Sequence, residues 1–100
     1  MYANKADIAK IFGISVNTVY RRLEEIETEM GKGKRYNEYA ILDNLVSIEV
    51  FADYTKYRKW LNSKNLRKNI PPFNMADARE YIVENGLLHI TCKKAGGVSR

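Results

Sequence analysis

The stretch Asn4-Lys5-Ala6-Asp7-Ile8-Ala9-Lys10-Ile11-Phe12-Gly13-Ile14-Ser15-Val16-Asn17-Thr18-Val19-Tyr20-Arg21-Arg22-Leu23-Glu24-Glu25-Ile26 decides the fold. It reads as two short helices joined by a tight corner. Asn4 is placed to cap the first helix, and Asp7 puts an acid at its positive end. Ile8, Ile11 and Phe12 recur at helical spacing and give that helix an apolar face. Ala9 is small where a second helix must approach closely. Gly13 follows the last apolar residue, where a left-handed residue ends a helix without steric cost. Ser15 caps the second helix through the N–H of Asn17 or Thr18. Val16, Val19, Leu23 and Ile26 form its apolar stripe. Asn17, Thr18, Tyr20, Arg21 and Arg22 point away from that stripe.

This pattern resembles a helix-turn-helix DNA-binding unit, carried by Ala9, Gly13, Ile14, Val19 and the run from Ser15 to Leu23. The resemblance implies that the second helix, about residues 16–28, is a recognition helix whose N-terminal half enters the major groove. That half is free of acids, because Glu24, Glu25, Glu27 and Glu29 all come later. Asn17 suits adenine, and Arg21 suits guanine O6 and N7. Thr18 suits a thymine methyl or a phosphate. Ser15, Tyr20 and Arg22 are expected to position the backbone, together with Lys32, Lys34 and Arg35 of the glycine-broken loop Gly31-Lys32-Gly33-Lys34-Arg35.

Composition agrees with that class. One hundred residues make one domain, 1–100, and 45% hydrophobic with 29% charged residues is globular composition. A net charge of +5 and a pI near 9.4 favour a polyanionic partner. Cys92 is the only cysteine, so no internal disulfide is available. With no signal-like N-terminus, a reducing cytoplasm is expected. No apolar run approaches the ~20 residues that cross a bilayer, so no membrane partner is expected. Charge is uneven. Residues 37–49 hold Glu38, Asp43 and Glu49 and no base, whereas residues 50–70 hold Lys56, Arg58, Lys59, Lys64, Arg67 and Lys68 against Asp53 alone.

Beyond the helix-turn-helix (4–30), the period changes. Tyr39-Ala40-Ile41-Leu42 and Leu45-Val46-Ser47-Ile48-Glu49-Val50 flank Asp43-Asn44, which tolerates the positive φ of a tight hairpin. A hairpin wing over 39–50 is expected, its acids arguing against deep insertion into DNA. A helix over 51–65 carries Phe51, Tyr54, Tyr57 and Leu61 as a core stripe, with lysines beside it. Pro71-Pro72 breaks the chain, and Ile70 and Phe73 tuck the extended segment onto the core. Asn74 caps a last helix over 75–85, with Ala78, Tyr81 and Ile82 inward and Asn85-Gly86 as its stop. Leu87–Cys92 reads as a short strand and 93–100 as a frayed basic tail. The fold class is therefore mainly α with a small β-hairpin: a winged helix-turn-helix plus C-terminal helices.

That order resembles the small winged-helix proteins of phages and mobile elements, most of all the excisionase-like group of Gram-positive phages. The residues are Ile8–Ser15, the hairpin, Phe51–Leu61 and Ile70-Pro71-Pro72-Phe73, about three quarters of the chain. The resemblance implies a sequence-specific double-stranded DNA-binding protein, either an architectural factor that assists an integrase or a transcriptional regulator. The acidic wing and the extra C-terminal helix depart from the group. Self-association, as a dimer or a cooperative array on DNA, is expected through the C-terminal helix and Leu87–Cys92. The rival reading is a protein-interaction module, an anti-repressor or integrase partner on the same scaffold. No enzyme, cofactor or metal site is expected. His89 and Cys92 alone do not make a zinc site, Glu24-Glu25 reads as a solvated face, and Gly31-Lys32-Gly33-Lys34 lacks the spacing of a phosphate-binding loop.

Overall fold

Short-range capping sets the first half of the chain. The computed structural model describes residues 1–32 and 34–88. After a short strand β1 (Tyr2–Asn4), helix α1 runs Lys5–Phe12 and α2 runs Val16–Gly31. Asn4 Oδ1 accepts the Asp7 N–H at 2.8 Å, and Ser15 Oγ accepts the Thr18 N–H at 3.1 Å. Gly13 takes the left-handed conformation at φ 65°, so that its own N–H and that of Ile14 donate back to Lys10 and Ala9 carbonyls. Ile8, Val19 and Ile26 are fully buried and Ala9 and Leu23 nearly so, which packs α1 on α2. Each large apolar side chain buried in this way contributes about 1.5–3 kcal/mol relative to exposure.

The expected hairpin is present and shorter, and it belongs to a larger sheet. Strands β2 (Ile41–Leu42) and β3 (Leu45–Ser47) pair antiparallel around Asp43, which sits at φ 57°. β1 pairs with the other edge of β3, giving the order β1-β3-β2. The sequence carries no signal for β1. Its three residues show no alternation, and its partner lies more than forty residues away. Tyr39 and Ala40 belong to a 3₁₀ turn at Glu38–Ala40, capped by Asn37, and not to the first wing strand.

Helix α3 runs Ile48–Leu61, three residues earlier at its start and four earlier at its end than expected. Ser47 Oγ accepts the Val50 N–H at 3.2 Å, so a cap begins a helix inside what the β-prone run Leu45–Val50 offered as strand. Phe51, Tyr54 and Leu61 are buried, and the Phe51 ring lies 4.7 Å from that of Phe12. A 3₁₀ turn at Arg67–Asn69 precedes the prolines, and Ile70 and Phe73 pack on the core as expected. α4 (Met75–Glu84) is capped by Asn74 and buries Ala78 and Ile82 against α3. Gly86 at φ 62° ends it, and the Leu87 N–H returns to the Ile82 carbonyl. The remainder of the expected 87–92 strand and the 93–100 tail lie outside the described residues. Among the described residues the result is a mainly helical fold of four α-helices with a small antiparallel sheet.

Candidate nucleic-acid interface

The corner at Gly13-Ile14 presents the first turns of α2 outward. Asn17, Tyr20 and Arg21 are exposed and share one helical face, and Arg22 is half-buried at its side. Val16 joins that exposed face at 41% accessibility. It does not belong to the buried stripe, which is Val19, Leu23 and Ile26. The reason is position: Val16 is the first helical residue, ahead of the turn that α1 covers. Ser15 and Thr18 are brought together differently from expectation. Their hydroxyls hydrogen-bond to each other at 2.9 Å while Ser15 caps the helix, so both serve the corner itself.

A side chain outside the expected set joins the face. The Lys5 ammonium stands 5.2 Å above the Tyr20 ring, a cation–π contact between α1 and α2. No local signal connects residues so far apart in sequence; only the packing of α1 on α2 does.

The basic loop divides. Lys32 and Lys34 are exposed. Lys34 adopts φ 57°, uncommon for a non-glycine residue, and the Arg35 N–H then donates to the Glu29 carbonyl at 2.8 Å. Arg35 departs from its expected place on the phosphate backbone. Its guanidinium turns inward, donating to Asp53 at 2.8 and 3.0 Å and to the Pro71 carbonyl at 2.7 Å. Tyr36 donates to the same carboxylate at 2.7 Å. The Arg35 and Asp53 side chains are only 7% and 6% exposed. Burial alone would lower the Arg35 pKa, but the hydrogen bonds and charge of Asp53 outweigh it and hold the guanidinium above its ordinary value. Burial, then the Asp53 charge, push the Tyr36 phenol well up.

Among the described residues, Arg58, Arg67 and Arg79 are also paired with carboxylates. Arg58 bonds Glu25, Arg67 grips Glu29 through both terminal nitrogens, and Arg79 bonds the buried Glu49. The Tyr54 hydroxyl also donates to Glu25. Burial, then that hydrogen bond, raise the Tyr54 phenol. Glu25 is thus an anchor between α2 and α3, not the solvated face expected of it. Among the described residues, Arg21 and Arg22 are the arginines with no carboxylate partner, and both stand on α2.

The remaining acids of α2 lie away from its first turns. Glu24, Glu27 and Asp43, with Lys5, Tyr20, Leu23 and Ile41, line a cleft of about 220 Å³ between α2 and the hairpin. Three carboxylates there repel phosphate. Among the described residues no group of three metal-ligating side chains converges, and no helix is long and apolar enough to cross a membrane. Compared with known protein families, curated proteins and solved structures, the chain matches none.

Proposed function

We propose that this chain is a sequence-specific double-stranded DNA-binding protein of the winged helix-turn-helix kind, reading the major groove with the N-terminal half of α2. The observation that carries the reading is the distribution of arginine. Arg35, Arg58, Arg67 and Arg79 are held by internal carboxylates, while Arg21 and Arg22, among the described residues, stand unpaired beside Asn17 on the first turns of α2. A guanidinium left without an acid, next to an exposed amide on a helix end, suits guanine and adenine edges. Lys32 and Lys34, both exposed, supply phosphate contacts around it. The pairing of β1 with β3 supports a winged arrangement, since it seats the hairpin beside the two-helix unit. The acid-lined cleft argues that the wing stands away from the backbone. An excisionase-like architectural role or a regulatory one both use this surface.

Exposed Val16 and Tyr20 favour a second reading, in which the same face holds a protein partner, such as an integrase or a repressor. Titration with a random fluorescent duplex at low and moderate salt separates the two. DNA binding predicts affinity that falls steeply with salt. Absence of binding at ~50 mM salt, where phosphate contacts are strongest, overturns the DNA reading in favour of the partner.

A further inference from the structure

We infer a second nucleic-acid surface on the side of α3 that faces away from the recognition helix, formed by Lys56, Lys59 and Trp60, with Lys64 in the turn beyond. Tyr54 and Arg58 both reach Glu25 of α2, and Leu61 is buried, so these residues mark the α2-facing side of α3. At about 100° per residue, Lys56, Lys59 and Trp60 fall on the opposite side. All three are exposed, as is Lys64. No ion pair engages these lysines among the described residues, although Arg58 and Arg67, close by in sequence, are both paired. The Lys56 ammonium lies over the Tyr57 and Tyr81 rings at 5.2 and 5.9 Å, a contact that leaves its charge unneutralised.

The chemistry of this face is that of a phosphate surface without base readout. Lysine is a point charge that binds phosphate from any direction, whereas base reading favours the arginine fork. Trp60 is 39% exposed and packs edge-on against Tyr57, with ring centroids 6.0 Å apart at 68°. A single exposed indole among these lysines does not supply the succession of rings on which unpaired bases stack. The occupant is therefore a second duplex segment. With α2 on one duplex and α3 on another, the chain bridges two stretches of DNA; that bridging step rests on the proposed reading of α2.

Trp60 is the single tryptophan, so its emission reports directly on this face. A short random duplex should quench it, and the Arg21→Ala/Arg22→Ala variant should keep the quench with a midpoint within about threefold of wild type. Lys56→Gln/Lys59→Gln/Lys64→Gln should move the midpoint about tenfold or more and flatten the salt dependence by about 0.9 for each phosphate left without its lysine. A companion assay immobilises one duplex and measures co-capture of a second, fluorescent one; wild type should co-capture, and the lysine variant should hold only the immobilised duplex. Equal quenching in wild type and the arginine variant, with no preference for any site, supports this face while removing the α2 reading. Wild type that binds DNA without quenching overturns the proposal. So does co-capture by the lysine variant equal to wild type, which assigns bridging to paired copies. Quenching by an unpaired oligonucleotide and not by duplex also overturns it, as does failure of wild type to bind any DNA.

Discussion

Arg35→Met separates the inward role of this side chain from the phosphate contact its loop position suggests. Methionine keeps most of the aliphatic stem and deletes the guanidinium. Asp53 would then retain the Tyr36 hydroxyl alone of its three donors, and the Pro71 carbonyl would lose its partner. Both charged side chains are more than nine-tenths buried, so solvent screening offers little relief. Breaking such a pair from one side costs about 3–5 kcal/mol, out of the roughly 5–15 kcal/mol that holds a small domain together. The assay is urea unfolding followed by circular dichroism, where the midpoint should fall with little change in slope. Arg35→Met combined with Asp53→Leu should recover most of the loss, because the unpaired carboxylate is the costly species. A phosphate-binding Arg35 behaves oppositely: stability within about 0.5 kcal/mol of wild type, and a DNA salt slope flatter by about 0.9. That second pattern would refute the structural assignment.

Three further outcomes are expected. Arg21→Ala should cost about 1–3 kcal/mol on a preferred site and relax specificity at one base; equal loss on preferred and random duplexes, measured by competition titration, removes the base-reading role. Lys34→Ala should weaken all sequences alike and reduce the salt slope by about 0.9, so an unchanged slope takes that loop off the phosphates. Glu49 controls acid stability. Burial would raise its pKa, but the N-terminal ammonium at 2.9 Å, its own backbone N–H and Arg79 outweigh burial and hold it low. A folded-state pKa below the unfolded one gives stability that is present above the unfolded value and lost as pH falls through the folded value. Glu49→Gln should therefore cost about 1.5 kcal/mol at neutral pH and flatten the decline of the urea midpoint on the acid side; an unchanged decline places the acid sensitivity elsewhere.

What was legible in the sequence was local. Asn4, Gly13, Ser15 and Asn74 act within a few residues of themselves, and each cap or stop lies where its residue type predicts. Asp43 likewise takes the positive φ that a tight turn demands. The failures share a cause in competition or distance. Leu45–Val50 is strand-like by composition, yet Ser47 caps a helix through its middle, and the cap prevails because Val50 and Phe51 then enter the core. β1 needs a partner forty residues on. Val16 has an apolar side chain at a stripe spacing, but no helix covers the first turn of α2.

The same contrast between local and distant contacts governs the charges. By count alone the basic density follows the helix-turn-helix, in residues 50–70. In the fold, Arg58 and Arg67 from that region are neutralised by Glu25 and Glu29, the late acids of α2. Those acids therefore do two things at once. They tie the second half of α2 to α3 and the turn beyond it, and they pair two guanidinia, partly exposed, that would otherwise be free cations beside α2. What remains unpaired on α2 is its first turns, with Arg21 and Arg22. A helix anchored by its acidic C-terminal half leaves its cationic N-terminal half exposed, where the proposed groove contact would lie. Glu25→Gln should accordingly loosen α2 without touching DNA. Arg58, released, becomes a new cation behind the interface, so random-duplex affinity should rise while preference for the specific site falls; a variant that loses both equally shows that Glu25 only stabilises the fold.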